Sequence, residues 1–306
     1  MRIGIDLGGT KIEAILLAED GREINRKRIA APQGSYSGTL DAISGLVTDL
    51  APPENPDTPV GIGIPGTISP ATGVVKNANS TWLNGQPFDT DIAAHLDRPV
   101  RVANDANCLA VSEATDGSGR GARVVFGVIL GTGVGGGIVV DGKILTGPNA
   151  IAGEWGHTPL PWMTGDEWPG QRCFCGRDGC IETFLCGPAL SRTYRETTGD
   201  ELAPAEIARL ADQGDGGASA VLAIYEDRLA RALAVAITFL DPDIIVLGGG
   251  LSNVSRLYEN LGKRITRYAF SDVVMTPIRP PTHGDSSGVR GAAWLWPAQA
   301  PREASL

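Results

Sequence analysis

No run of lysine or arginine stands out in this 306-residue chain, and its formal charge is −9 with a pI near 4.9. Surfaces that neutralise nucleic-acid phosphates or anionic lipids need clustered cations, so neither partner is expected. The N-terminus lacks a basic segment with an apolar run behind it. Instead Ile3-Gly4-Ile5 reads at once as a strand, so no secretory leader is expected and the cytoplasm is the expected compartment. The uncharged stretch Val124 to Val140 is too short to span a bilayer and is broken by six glycines. Cysteine is scarce: Cys108 and Cys186 stand apart, while Cys173, Cys175 and Cys180 crowd into eight residues. An odd, clustered set argues for a metal site over a disulfide framework. Glycine is what the chain has in excess, 41 residues or about 13%, against a usual share of about 7%.

The glycines punctuate a repeated pattern. Ile3 to Leu7 leads into Gly8-Gly9-Thr10-Lys11, then Ile12 to Leu17, then Asp20-Gly21 and a further extended run. About 120 residues later Val124 to Leu130 leads into Gly131-Thr132-Gly133, then Ile138-Val139-Val140, Asp141-Gly142 and Lys143-Ile144-Leu145. Asp-Gly between apolar runs is a hairpin signal, so two copies of strand, glycine turn, strand, hairpin, strand point to an internal duplication. Apolar spacings of three and four predict helices over Ser37–Leu50, Asp89–Leu96 and, most strongly, Ala218–Leu240, which Asp241-Pro242 stops. Ile244 to Leu247 is a buried-strand run emptying into Gly248-Gly249-Gly250, and a last helix is expected from about Ser286. Strands alternating with helices imply an α/β protein of two lobes, 1–118 with 287–306 and 119–286.

Three glycine clusters after apolar strands suit phosphate, because glycine lets backbone N–H groups converge with no Cβ in the way. Gly131-Thr132-Gly133-Val134-Gly135-Gly136 matches G-x-G-x-x-G in letters only. A dinucleotide fingerprint needs a helix next, and here a strand and a hairpin follow. There is no G-x-x-x-x-G-K-[ST] sequence, so this is not a P-loop protein. Asp6, at the end of the first strand, is placed to hold Mg2+ beside phosphates, or else caps a turn. Asp105, between a short strand and a helix-like run, reads either as a helix N-cap or as a general base for a sugar hydroxyl, with Asn104 orienting the sugar. Cys173, Cys175 and Cys180, with His157 upstream, supply a closed Cys3His zinc set, and the metal loop would hold Glu182. Trp82, Trp155, Trp162, Trp168, Trp294 and Trp296 are expected to pack, although Trp82 lies in a polar loop where it could flank a ligand. Cys108 and Cys186 are expected as buried small hydrophobes.

Together these motifs resemble the ROK family (repressors, uncharacterised reading frames and sugar kinases) of the actin-like ATPase superfamily. The resemblance runs from Ile3 to Trp296 and rests on Asp6–Lys11, Gly63-Ile64-Pro65-Gly66, Asn104-Asp105-Ala106-Asn107, Gly131–Gly135, Gly153-Glu154-Trp155-Gly156-His157 and the Cys173–Glu182 loop. The stretches Gly73 to Phe88 and Gly284 to Trp296 look most like bacterial ROK fructokinase (mannokinase), with N-acetylglucosamine kinase second. The resemblance implies a two-lobed, ribonuclease H-like fold of duplicated β-turn-β-turn-β-α domains, and a homodimer. It implies ATP on Gly4, Ile5, Asp6, Leu7, Gly8, Gly9, Thr10 and Lys11, on Gly131, Thr132, Gly133, Val134, Gly135 and Gly136, and on Gly248, Gly249 and Gly250. It implies Mg2+ at Asp6, Asp105 as the catalytic base, a hexose on Asn79, Asn104, Asp105, Glu154, His157 and Glu182, and structural zinc on His157, Cys173, Cys175 and Cys180. The segment from Thr158 to Arg172 is longer than the shortest family form. A ROK repressor would need a DNA-binding segment before the first strand, for which Ile3 leaves no room, and a sugar sensor without activity would lack Asp105 or the phosphate turns. The expected reaction is transfer of the γ-phosphoryl of MgATP to the 6-hydroxyl of fructose, the lobes closing to exclude water.

Overall fold

A computed structural model describes residues 1–297; the tail 298–306, expected in the first lobe, lies outside the described residues. The chain forms two compact units. One comprises Met1–Arg120, Gly142–Ala152 and the chain from Ser286, and the other comprises Gly121–Asp141 and Gly153–Asp285. The segment Gly142–Ala152 was expected in the second lobe but groups with the first unit, where Lys76 Nζ donates to the carbonyl of Asn149 at 2.9 Å.

The first unit opens with β1 (Arg2–Leu7), β2 (Lys11–Leu17), β3 (Glu23–Ala30) and α1 (Tyr36–Leu50). It continues with β4 (Val60–Ile64), a short β5–β6 hairpin (Thr67–Ile68, Val75–Lys76), α2 (Phe88–Leu96), β7 (Val100–Asn104) and α3 (Asp105–Thr115). Its sheet runs β3-β2-β1-β4-β7, with β1, β4 and β7 parallel. Ile3, Ile5, Leu7, Ile62 and Ile64 are almost fully buried, as strands covered on both faces require. Ser35 caps α1 through Oγ, which accepts from the N–H of Gly38 at 3.1 Å, and the helix buries Leu40, Ile43, Leu46, Val47 and Leu50.

The second unit contains β8 (Val124–Leu130) and β9 (Val134–Val140); β10 (Lys143–Ile144), after the Asp141-Gly142 turn, lies in the segment that groups with the first unit. Next come a four-residue helix α4 (Glu182–Leu185), α5 (Gly187–Thr198), α6 (Pro204–Asp212) and the long α7 (Gly216–Leu240). β11 (Ile244–Gly248), α8 (Arg256–Ile265) and β12 (Ile278–Arg279) complete it. The sheet order β10-β9-β8-β11-β12 repeats that of the first sheet, which bears out the duplication. Asp215 caps α7 by accepting from Ala218 N–H at 2.7 Å, and Asp241, in the left-handed region at φ 42°, ends it before Pro242.

α9 (Ser287–Trp294) returns to the first unit and lies directly on β1, β4 and α3. The approach is so close that a Cβ on Gly4 would stand 2.1 Å from the carbonyl oxygen of Val289, and one on Gly61 1.9 Å from that of Ala292. Gly4 is therefore a packing residue inside β1, beside buried Ile5. Among the described residues, no helix is long and apolar enough to cross a membrane.

The connection from Thr158 to Arg172 is clamped to α7 by buried charge. Glu167 accepts from Arg231 Nη1 and Nη2 (2.9 and 2.7 Å), from Arg228 Nε (2.9 Å) and from the N–H of Thr164 (3.1 Å). Arg231 Nη1 also donates to the carbonyls of Pro161 and Trp162 at 3.0 and 2.9 Å. Trp162 packs as expected, stacked on Tyr268 with ring centroids 5.7 Å apart, though it remains 54% exposed, whereas Trp168 is 74% exposed. Burial alone would raise the Glu167 carboxyl; hydrogen bonds from Arg231 and Arg228 outweigh it and hold the group at about 2. A carboxyl depressed in the folded state contributes stability above its ordinary value of 4.5 and loses it as pH falls towards 2, because the unfolded chain then binds the extra proton. Glu167→Gln should therefore cost about 3 kcal/mol at pH 7, with the gap from the parent narrowing at pH 3.5. Urea unfolding at both pH values checks this; a gap independent of pH would assign the stabilisation elsewhere.

Candidate active site

In the first unit the parallel strands β1, β4 and β7 deliver three motifs to one edge of the sheet: Asp6-Leu7-Gly8, Pro65-Gly66 and Asn104-Asp105. The carboxyl ends of such strands are where α/β sheets bind ligands. Gly8-Gly9-Thr10 make the turn between β1 and β2, closed by the N–H of Gly8 donating to the carbonyl of Lys11 at 3.0 Å. Gln33 Nε2 and the N–H of Ala31 hold the carbonyls of Gly9 and Thr10, each at 3.0 Å. Asp6 sits against two glycines: a Cβ on Gly288 would lie 3.4 Å from its Oδ2 and one on Gly63 3.7 Å from its Oδ1. Burial first, then the charges of Asp105 and Glu13, push the Asp6 carboxyl up to about 7. A pair of mutually repelling carboxylates bordered by side-chain-free glycines is a donor set that suits a divalent cation.

The N-cap of α3 is Asn104, not Asp105. Asn104 Oδ1 accepts from the N–H groups of Ala106 and Asn107 at 2.9 and 3.4 Å, and its Nδ2 donates to the carbonyl of Gly66 at 3.1 Å. Asp105 is the first residue of the helix, with Oδ1 accepting from Ala106 N–H at 2.7 Å, where the helix dipole favours negative charge. Asn79 is exposed on a loop that Asn84 pins by bonding the N–H and carbonyl of Ala78, both at 2.9 Å. Trp82 donates from Nε1 to Thr39 Oγ1 at 3.2 Å, which fixes its ring on α1.

In the second unit the ends of β8 and β11 bring Gly131-Thr132 and Gly249-Gly250 together. Both turns line a cavity of about 1030 Å3, closed by Gly187, Pro188 and Ser191 of α5, Leu202 to Ala205, and Arg209 and Asp212 of α6. The sequence reading missed these α5 and α6 residues. Val134, Gly135 and Gly136 belong to β9, and a Cβ on Gly136 would meet the carbonyl of Gly153 at 2.7 Å, so this end of the glycine run packs the backbone. Trp155 donates from Nε1 to the Gly135 carbonyl at 2.9 Å and stands edge-on to Phe126, which seats Glu154 and His157 beside β9.

His157, Cys173, Cys175 and Cys180 each offer a ligand atom, all within 4.8 Å of one another. His157 Nδ1 is 3.5 Å from Cys173 Sγ, and the sulfurs of Cys175 and Cys180 are 3.6 Å apart, separations that fit a tetrahedral metal ion. With Nδ1 on this side, Nε2 of His157 is turned away from the sulfurs. Burial and the neighbouring thiols push Cys180 up to about 12. Glu182 joins this cluster to the glycine turn: Oε1 lies 3.8 Å from Cys173 Sγ, while Oε2 accepts from the N–H of Val134 at 2.9 Å. Cys108 and Cys186 are buried, as expected.

A family model described as "ROK family" matches residues 2–299. The chain is 42% identical over 300 residues, 96% of this chain and 99% of the relative, to an N-acetyl-D-glucosamine kinase of Escherichia coli O139:H28. A ROK hexokinase from Thermus thermophilus superposes with a TM-score of 0.82 at 28% identity, over 95% of this chain and 96% of that one. A ROK family glucokinase from Streptomyces griseus, solved with glucose and AMPPNP, gives 0.79 at 28% identity over 96% and 98%. With the family model spanning nearly all of its length, this α/β chain belongs to the ROK family.

Proposed function

We propose that this chain is an ATP-dependent hexose kinase, transferring the γ-phosphoryl group to the 6-hydroxyl of N-acetyl-D-glucosamine. The observation that carries the phosphotransfer reading is the placing of Asp6 and Asp105 at the ends of parallel strands beside the Gly8-Gly9 turn, where the charge of Asp105 is felt at the Asp6 carboxyl. The sugar follows from the relatives: those at 42% identity over 96% of the chain are N-acetyl-D-glucosamine kinases. Fructose, expected from sequence, becomes the second reading, favoured by the likeness of Gly73 to Phe88 to ROK fructokinases.

In this reading Asp105 takes the proton of the 6-hydroxyl as the phosphoryl group crosses, and Asn79, Asn104, Glu154, His157 and Glu182 hold the other hydroxyls. The Gly8-Gly9-Thr10-Lys11 and Gly131-Thr132-Gly133 turns take the phosphates, and the 1030 Å3 cavity beside Gly248-Gly249-Gly250 takes the adenosine. Bound at Asp6, Mg2+ would neutralise charge on the phosphates during transfer. Zinc on His157, Cys173, Cys175 and Cys180 would be structural, since four protein ligands leave no open position. Through Nδ1 it would fix the tautomer with which Nε2 of His157 meets the sugar.

ADP release measured with Mg2+ and ATP against N-acetylglucosamine, fructose, mannose and glucose tests the function. The expected order of kcat/KM puts N-acetylglucosamine first; fructose in first place selects the second reading, and no turnover with any sugar overturns both. Asp105→Asn should lower kcat by about 10²-fold or more while leaving the sugar KM within about threefold, as loss of a general base does. Unaltered turnover would remove Asp105 from that role. Cys175→Ser should reduce bound zinc from one per chain to well below one, read by elemental analysis, and raise the sugar KM by about 10-fold or more. Full zinc occupancy in that variant would take Cys175 out of the ligand set.

A further inference from the structure

The mechanism above makes no use of the Thr158–Arg172 connection, although it joins His157 to Cys173. Its two ends are tied into the cysteine loop: the N–H of Leu160 donates to the carbonyl of Gly179 at 2.9 Å, the N–H of Ile181 to that of Thr158 at 2.9 Å, and the N–H of Gly179 to that of Gln171 at 3.0 Å. Its middle leaves that loop and is held on α7 by Glu167, whose carboxylate receives both Arg228 and Arg231. Arg228 also lies over the ring of Phe184, 5.1 Å from its centroid. Phe184 belongs to α4, the four-residue helix that Glu182 begins, and a Cβ on Gly170 of the connection would touch the same ring at 3.1 Å. One ion cluster therefore grips the segment that carries His157 at one end and Cys173 at the other, together with the helix that carries Glu182.

We propose that Glu167, fixed by Arg228 and Arg231, is a positioning residue for the sugar-binding end of the site: it sets the aim of His157 and Glu182 without touching substrate. This rests on the hexose kinase reading given above. The cluster is planar, bidentate and buried, so it holds its partners in one geometry, which an exposed ion pair does not. Binding groups displaced by about 1 Å can lose about 10²-fold in rate, and here the displaced groups would be those of the sugar rather than of the nucleotide. The cavity proposed for the nucleotide is lined by α5, α6 and the turns after β8 and β11, none of which Glu167 itself bonds; the cluster reaches α5 only where Arg228 Nη1 donates to Thr193 Oγ1 at 3.1 Å, and Thr193 does not line the cavity.

The test uses the full-length protein and its Glu167→Gln variant, with Arg231→Lys, which keeps the charge but loses the bidentate fork, as the milder second variant. Steady-state kinetics should show the hexose KM raised about 10-fold in Glu167→Gln and about threefold in Arg231→Lys, with the ATP KM within twofold of the parent. In parallel, Co2+ is loaded in place of zinc and its transfer to a chelator is followed by the loss of its thiolate absorption. That rate should rise about 10-fold in Glu167→Gln, since His157 and Cys173 flank the loosened segment. An equal rise in both KM values would mean general loosening and would overturn the proposal, as would parent-like hexose KM and Co2+ release. If the parent turns over no sugar, the kinase reading fails separately, and the Co2+ arm alone decides: faster release upholds the clamp, and an unchanged rate removes it.

Discussion

The second unit is organised around a single carboxylate. Glu182 places one oxygen on the N–H of Val134 at 2.9 Å and the other 3.8 Å from the sulfur of Cys173. A half-buried carboxylate needs such donors, and their positions dictate what its neighbours can be. Gly133 is the clearest case: a Cβ there would lie 2.7 Å from Glu182 Oε2, so the turn must be glycine for the carboxylate to reach the backbone behind it. The glycine turn, the metal-ligand cluster and the start of α4 are thereby held in one arrangement. The N–H of Val134 is also committed, which leaves the earlier part of the turn, Thr132 and Gly133, as the part that can face a phosphate.

The first unit solves a different problem, how to keep two carboxylates near each other at a sheet edge. Asp6 is buried enough, and close enough to Asp105, that its carboxyl is pushed up to about 7. Taken alone, that arrangement is unfavourable, and it persists because the surrounding packing leaves little freedom. α9 lies so close on β1 and β4 that Gly4 and Gly61 cannot carry side chains, and a Cβ on Gly291 would stand 1.6 Å from the carbonyl oxygen of Cys108 in α3. The contact is made by residues about 290 positions after β1 in sequence. Packing from elsewhere in the chain thus fixes where the strand ends that carry the two carboxylates stand.

Much of this was legible in the sequence wherever one short-range signal decided the outcome. The Asp20-Gly21 and Asp141-Gly142 turns, the glycine turns after β1 and β8, and α7 from its apolar spacing and the Asp241-Pro242 stop are all local patterns, and the structure shows each of them. So is the cysteine cluster, whose short spacing brings three sulfurs together and whose loop draws in His157. Helices α5, α6 and α8 were not anticipated, because each buries only a narrow stripe (Ala189, Leu190 and Tyr194 in α5, or Ile207 and Ala211 in α6) amid polar residues. With them went walls of the 1030 Å3 cavity. The roles of Gly4 and Gly136 were equally hidden. In sequence each belongs to a phosphate-like run, but in the fold Gly4 faces the backbone of Val289, which arrives from far along the chain, and Gly136 faces that of Gly153. Glu167 and Arg231, 64 residues apart, carry no local pattern that pairs them.

Both sheets share one strand order, yet they have come to present opposite chemistry at their strand ends. The first edge carries carboxylates, Asp6 and Asp105, which attract cations and accept a proton; the second carries backbone N–H donors and a cavity. Phosphoryl transfer, the reaction proposed above, calls on both kinds of group. The reaction is for this reason more readable than the sugar. In the proposed reaction Asp105 would act on a hydroxyl at C6, whereas the candidate hexoses differ at C1 and C2, so a base there carries no information about which one is bound. On that reading discrimination would fall to residues on irregular segments (Asn79 on its pinned loop, His157 and Glu182 around the cysteine cluster), where a single contact is worth about 1–3 kcal/mol. Such contacts are set by how firmly those segments are held. On that reading the supports of the loops, and not the duplicated frame, would decide substrate preference in this chain.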